Sequence, residues 1–471
     1  VYKRQVVGET NNYEVLFQLL VQMTTYDAEI LEKGLRENGV QTPLTAAKSH
    51  LKSILLRAMR AYNSHESAQK KLLNGLADLE FLAEKKHYVF LRKEIKRLKK
   101  IAIDYEAHHV LFKIGAFERR LHKETAGKDV IQGMEEILKE MNAYAVAFQK
   151  ELAMSHLMDK VFVIAKKSGA NQLSDLEGLL ESEVMEKQAN ESLMTQIYRQ
   201  QIKAIESMLK GQLEVASQYY EDVMALWKTK PHLISEHATT YRRVLGNYLG
   251  ISGQIGHFER FSEIIGALRN SPVVQPADEV EIFHISSMAE LTWRMGIFDW
   301  KQVKPLLARI DQGLEKHAGH LGKASILALR YNGAVFYFLK GELSACLKWL
   351  RAITQISSTE QRMDVQRVAR LMSLLVIWKR RDLELLEYEY RAATRFFKRL
   401  GTGHIEAEGL RFVNELIKAA SEQAVLRAFK SFANILAKQD HQQHFAVLML
   451  RAWCDAEMEK KSGLEILQER Y

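Results

Sequence analysis

"LKGQLEVASQYYEDV", Leu209 to Val223, is the stretch on which the fold reading turns. It opens on the end of one helix, Leu209-Lys210-Gly211, and at once begins another. The apolar positions of that second helix, Leu213, Ala216 and Tyr220, fall at helical spacing. Glycine adopts the left-handed conformation at little cost, so Gly211 reads as a helix stop. The stretch carries no chemistry of its own. Its value lies in recurrence.

Gly341 is followed by Leu343, Cys346 and Leu350, and Arg381 by Leu383, Leu386 and Tyr390. Gly256 is followed by Phe258 and Phe261, and Gly296 by Phe298. Seven residues before three of these turns stand Ala204, Ala289 and Ala334, small enough to let two helices approach. The turns at 211, 256, 296, 341 and 381 are separated by 45, 40, 45 and 40 residues. Weaker matches at Lys86, Gly127, Gly169 and Ser421 add intervals of 41, 42, 42 and 40. A helix hairpin of this length has one apolar face that it cannot bury alone, and stacking each hairpin on the next buries it. The expected fold is therefore all-α, a right-handed superhelical solenoid of stacked antiparallel helix hairpins. We divide it into 1–64, an N-terminal helical segment; 65–190, first repeats with a basic helix; 191–400, regular repeats; and 401–471, capping helices.

The rest of the sequence agrees with helix throughout. Five prolines and 25 glycines are few for 471 residues, and no period-2 apolar run is bounded by turn signals. Pro43, Pro231, Pro272 and Pro276 fall in predicted connections. Pro305, inside "DWKQVKPLLARI", predicts a kink or a delayed helix start. Hydrophobic residues make up 47% and charged residues 27%, a folded composition. The longest apolar run, "LMSLLVIW" from Leu371 to Trp378, is far short of the roughly 20 residues of a spanning helix. Two cysteines, Cys346 and Cys454, build no disulfide framework and fit a reducing cytoplasm. The chain opens on "VYKRQ" rather than Met, so a native N-terminal segment is expected to precede it.

At the residues Gly211 to Ala216 the sequence resembles the second-helix signature of tetratricopeptide repeats: glycine, any residue, a large apolar residue, two variable positions, then alanine. The period exceeds the ~34 residues of that repeat, which implies longer helices or looser connections. The order of segments also resembles a family of uncharacterised bacterial repeat proteins, through Lys230-Pro231-His232-Leu233-Ile234 and "GELSACLKWL" (Gly341 to Leu350). That resemblance implies a fold and no activity.

In tetratricopeptide-like stacks the first helix of each pair lines a concave surface. Asn247 and Asn332 stand nine residues before two of the turns, where similar repeats use Asn to hold a ligand backbone. Neighbouring positions offer Gln201, Arg243, Glu290, Trp293, Arg294, Tyr331 and Trp378, residue types suited to capturing a peptide. The plainer reading makes them ordinary half-buried residues of those helices.

The sharpest charge feature is "KKHYVFLRKEIKRLKK", Lys85 to Lys100. Arg92, Lys93, Lys96, Arg97, Lys99 and Lys100 form a stripe that could track phosphates, or simply the solvated side of a core helix. The net charge of +9 is mild for this length. Histidine pairs at His108-His109, His317 with His320, and His441 with His444 lack a third metal ligand at a persuasive spacing. "GISGQIG" (Gly250 to Gly256) misses a nucleophile elbow, because Gly253 directly follows Ser252. "HLGKAS" misses a phosphate loop, because Ala324 stands where Ser or Thr is needed. "GTGHIE" (Gly401 to Glu406) lacks the third glycine of a dinucleotide motif.

The sequence therefore predicts a non-enzymatic, cytoplasmic protein- or peptide-binding scaffold, without cofactor, metal or membrane. The alternative is a nucleic-acid-associated regulator acting through the Lys85 to Lys100 stripe or a preceding domain.

Overall fold

The computed structural model describes residues 12–62, 67–125, 129–166, 172–180, 185–186, 191–355, 362–438 and 445–470. Among the described residues the chain is all-α, with 22 α-helices and no strand. Two compact units are distinguished: Val1–Lys160 with Leu179–Tyr198 and Lys230–Glu236, and Val161–Gly178 with Arg199–Thr229 and His237–Tyr471.

In the first unit, α1 (Asn12–Gln22), α2 (Ala28–Glu37) and α3 (Leu44–Tyr62) close a small core around Leu16, Leu31, Leu35 and Leu51. Helices α4 (Ala68–Glu84), α5 (Tyr88–Asp104) and α6 (His108–Thr125) build a second core from Leu72, Leu79, Leu91, Ile95, Leu98, Ile114 and Leu121. Helix α7 (Val130–Lys166) drops Met141 against Gly115 of α6, where a Cβ would sit 2.4 Å from its Cγ. Helices α8 (Gln172–Leu180) and α9 (Leu193–Leu209) follow; like the end of α7, they are divided between the first unit and the second. The "PHLI" segment is a short 3-10 turn, Pro231–Ile234, clamped within this unit. His232 Nε2 lies 2.8 Å from the Asp104 carbonyl, and Lys230 Nζ donates to Glu106 at 2.6 Å.

The second unit holds α10 (Leu213–Thr229), α11 (Ala238–Gln254), α12 (Phe261–Arg269), α13 (Pro276–Gly296), α14 (Trp300–Lys316), α15 (Lys323–Lys340) and α16 (Leu343–Thr354). It continues with α17 (Met363–Lys379), α18 (Leu383–Leu400), α19 (His404–Lys418), α20 (Glu422–Ala437), α21 (Phe445–Glu459) and α22 (Gly463–Arg470). Consecutive helices pack on each other. The first helices of successive pairs also form a row, α11 against α13, α13 against α15, α15 against α17 and α17 against α19. The core runs through this row. All eight residues of "LMSLLVIW" are buried, so α17 is covered on every side in its C-terminal half.

One backbone device joins many of these helices. At Gly211 the N–H donates to the Met208 carbonyl, and the next N–H, of Gln212, reaches back to Ser207. The same closure occurs at Gly39, Lys86, Glu106, Phe298, Gly341 and Arg381, each with positive φ. It satisfies the last carbonyls of the outgoing helix. After Lys86, Glu106, Gly211, Phe298, Gly341 and Arg381 the next helix begins two residues on.

The turn sought at Gly296 is shifted. Gly296 is the last residue of α13, and Phe298 takes the left-handed conformation at φ 57°. The intervals on either side of it become 42 and 43 residues rather than 40 and 45. Ser421 is not such a turn: it caps α20, its hydroxyl accepting from Ala424 N. Gly127 and Gly169 lie outside the described residues.

Pro305 does not delay its helix, since α14 begins at Trp300 and runs through it. An interior proline costs ~3 kcal/mol. Burial of Val303, Leu306, Leu307, Ile310 and Leu314 outweighs that, at about 1.5–3 kcal/mol for each large side chain. Pro276 likewise sits inside a helix, at the first position of α13, where its missing N–H is not needed.

Candidate functional site

Three helices of the second unit enclose an open hollow of about 470 Å³. Each supplies a stripe at helical spacing: Leu347, Arg351 and Thr354 from α16; Arg370, Ser373, Leu374 and Ile377 from α17; Tyr388, Ala392, Arg395, Phe396 and Arg399 from α18. Ala392 and Ala393 keep the α18 wall low, and Phe396 of α18 with Leu374 and Ile377 of α17 forms the apolar floor. Four guanidinium groups line this space, with Glu389 as the one carboxylate among its lining residues.

Arg370 is the half-buried member. Its guanidinium carbon stacks 3.8 Å from the centroid of the Phe396 ring, which fixes its plane. Its hydrogen bonds are long, 3.4 Å each to the carbonyls of Gln366 and Thr354, and no carboxylate pairs with it among the described residues. Burial pushes its pKa down, Glu389 partly offsets this, and Arg399 adds to it. The group stays charged nonetheless, because a guanidinium keeps its proton in proteins. Arg399 approaches the same ring at 5.9 Å. Arg351, Arg395 and Arg399 are exposed, and none of them meets a carboxylate among the described residues.

A second hollow of about 350 Å³ adjoins the first, sharing Leu347 and Arg351, with Arg330, Lys348 and Arg380. Asp311 accepts from Lys348 at 2.9 Å and also holds Arg330, so this space is partly neutralised.

The nine residues expected to line a groove all sit on first helices of pairs and within the second unit, Gln201 on its part of α9 and the others on α11, α13, α15 and α17. Most engage their own chain. Asn247 donates to the Tyr220 hydroxyl at 3.0 Å, and Asn332 to the Ala328 carbonyl of its own helix at 2.9 Å. Tyr220 is buried, and burial pushes its pKa up to about 12, the Asn247 bond acting the other way. Glu290 is buried and bound by Arg269 and by Arg309, the latter at 3.0 Å. Arg294 pairs with Asp299 at 2.8 Å and stacks 4.1 Å over Trp293. Trp378 packs 5.7 Å from Phe429, and Tyr331 is packed against the core. Gln201 is buried, its amide nitrogen meeting no acceptor among the described residues. Arg243 is exposed.

The basic stripe lies on α5. Arg97 is held by Glu94 of its own helix, while Lys99 bridges Glu118 of α6 at 3.0 Å and Glu140 of α7 at 2.6 Å. Arg92 donates to Thr125 at 3.3 Å. Lys93, Lys96 and Lys100 are exposed and meet no carboxylate among the described residues. The hollow beside them, about 700 Å³, mixes Arg92, Lys96, Lys99 and Lys100 with Asp104, Glu118, Glu136 and Glu140. Its charges balance, unlike those of the arginine-lined space.

Among the described residues no group of three or more His, Cys, Asp or Glu is placed to hold a metal. His317 packs 5.2 Å from Phe283, and burial pushes its pKa down; His320 is exposed. His109 is likewise pushed down by burial, and His108 faces Glu151 at 3.5 Å. His441 and His444 lie outside the described residues. Cys346 and Cys454 are buried and unlinked, and burial pushes both thiols up. No described helix is long and apolar enough to cross a membrane.

Arg351, Arg370, Arg395 and Arg399 belong to no motif in the sequence. Only two of them carry a local signal: Arg395 and Arg399 flank Phe396 at helical spacing in "RFFKRL". No protein-family model, curated protein or solved structure matches this chain.

Proposed function

We propose that the chain is a non-enzymatic, tetratricopeptide-like binding protein of the cytoplasm, its regular pairs wound as a right-handed superhelix, that holds an acidic segment of another protein or peptide. The observation that carries this reading is the charge imbalance of the arginine-lined hollow, four guanidinium groups against one carboxylate over an apolar floor. Arginine clusters hold carboxylates and phosphates through paired, charge-assisted bonds. Buried, unlinked cysteines fit a reducing compartment.

Fluorescence anisotropy with a labelled hexaglutamate peptide tests it. Binding is expected at low salt, weakened by Arg395→Glu with Arg399→Glu. No binding to the wild type at 50 mM salt, an illustrative condition for strong surface electrostatics, rejects the reading. A variant carrying Asn247→Ala, Asn332→Ala and Arg294→Ala asks separately whether the row of first helices extends the track. Affinity unchanged in that variant confines binding to the arginine hollow.

A second reading has one observation in its favour: Lys93, Lys96 and Lys100 stand exposed and unpaired on α5. A nucleic-acid regulator using this helix binds a labelled oligonucleotide with steep salt dependence. The balanced charges of the adjoining hollow rank it below the acidic-segment reading.

A further inference from the structure

We propose that the hollow between α16, α17 and α18 receives a phosphate group carried on a side chain of the bound segment. This deepens the acidic-segment reading and rests on it.

Charge comes first. The space has a surplus of three positive charges over Glu389. A carboxylate brings one negative charge, whereas a phosphate monoester brings about −1.5 to −2 and three acceptor oxygens. Geometry comes second. Arg370 is stacked on Phe396, so its donor plane is set before any ligand arrives. Its internal bonds are long, and they leave most of its five N–H groups available. Arg399, on α18, lies 5.9 Å from the centroid of the same ring and lines the same hollow, so both guanidinium groups border the space an anion enters.

The third point separates a side-chain phosphate from other phosphates. Leu374, Ile377 and Phe396 form a buried apolar floor, and the exposed Tyr388 ring borders the hollow, an aromatic face that a bare inorganic ion leaves unused but an aromatic or aliphatic stem can pack against. The adjoining space offers Arg380, exposed and meeting no carboxylate among the described residues, where an acidic neighbour in the same segment fits. A nucleic-acid strand needs exposed aromatic faces along its track for its bases. Only Tyr388 offers an exposed aromatic face among the residues lining the hollow, a single platform rather than a series, and Trp349 nearby is buried and covered by Arg330 at 4.8 Å.

The test uses the full chain and three probes in fluorescence anisotropy and competition: a labelled Glu-Glu-phosphotyrosine-Glu-Glu peptide, its unphosphorylated twin, and phenyl phosphate. The phosphorylated peptide is expected to bind about tenfold tighter than its twin or better. Phenyl phosphate is expected to compete at higher concentration, and Arg370→Gln to erase the phosphate-dependent gain. Arg399→Gln, at an exposed position, is expected to reduce the gain and decides the matter if Arg370→Gln fails to fold by circular dichroism. Equal affinities of the two peptides overturn the phosphate assignment and leave the acidic-segment reading standing. A gain that survives in folded variants places the phosphate elsewhere and also overturns it. Failure of all three probes at millimolar concentration overturns both readings. Phenyl phosphate binding as tightly as the phosphopeptide points to a free phosphate ester and overturns the side-chain assignment.

Discussion

Lys86 sits at φ 56° between α4 and α5, in a conformation that L-residues with a Cβ adopt at a cost of roughly 1–2 kcal/mol. Its side chain is exposed, and no hydrogen bond or ion pair with it among the described residues repays this. Glycine there removes the clash but adds about 0.5–1 kcal/mol of unfolded-state entropy. Lys86→Gly is therefore expected to stabilise the first unit by up to about 1 kcal/mol, read as a raised urea midpoint; an unchanged or lowered midpoint contradicts it. Glu106 shares the geometry but not the prediction, since its carboxylate accepts from Leu193 N at 2.7 Å and from Lys230 at 2.6 Å. The same contrast explains what the sequence revealed. Glycine at 211, 256 and 341 announces a left-handed turn by its identity. Lys86 was visible only through the interval to its neighbours. Glu106 and Phe298 carry no local signal, because long-range bonds and packing hold them. The arginine hollow was hidden for a related reason: Arg395 and Arg399 are neighbours in sequence, but Arg351 and Arg370 reach them only through the packing of three helices.

Between elements, a buried polar clasp fastens α11 to α13. Arg242 is fully buried, donates to Glu281 at 2.6 Å and to the Pro272 carbonyl at 2.9 Å, and pairs with Asp278. Asp278 also accepts from the N–H groups of Val274 and Gln275, capping α13. Burial alone pushes the Asp278 carboxyl up, but those two N–H groups and Arg242 together hold it below the ordinary range. A carboxylate depressed in the fold contributes stability that is present above its unfolded value, about 3.9, and lost as pH falls through the lower folded value. Removing Arg242 leaves the buried Asp278 carboxylate without its cation, so Arg242→Met is expected to cost about 3–5 kcal/mol at pH 7. The penalty is expected to shrink at pH 3, where the wild type is itself losing the interaction. Urea midpoints of both proteins at the two pH values check this, and a gap that widens in acid refutes the clasp. No motif announces it, because Arg242 falls on the apolar side of its helix and reads as an ordinary charged residue until Asp278 is brought beneath it.

Across the second unit the decisive contact is between its end and its middle. In a strictly linear stack each repeat touches only its neighbours, and damage at the last pair frays that pair alone. Here α21 and α22 pack on α15. Trp453 of α21 stacks on Phe338 of α15, with ring centroids 5.0 Å apart, and meets Phe429 of α20 at 5.5 Å. Gly463, at the start of α22, lies so close to Leu339 that a Cβ would fall 3.0 Å from its carbonyl oxygen. The regular interval between turns could reveal pairs stacked in order, but a return contact over more than a hundred residues has no period to betray it. Trp453→Ala should therefore act at a distance in sequence. It deletes a buried aromatic side chain, at a cost of about 3–5 kcal/mol, and opens the face of α15 that it covers. Hydrogen exchange followed by mass spectrometry should show faster exchange in α15 as well as in α20 to α22, with α10 and α11 unchanged because they lie outside this contact. Faster exchange confined to α21 and α22 would mean that the pairs behave as a linear stack, and that the return of the last helices onto α15 contributes little to holding the second unit together.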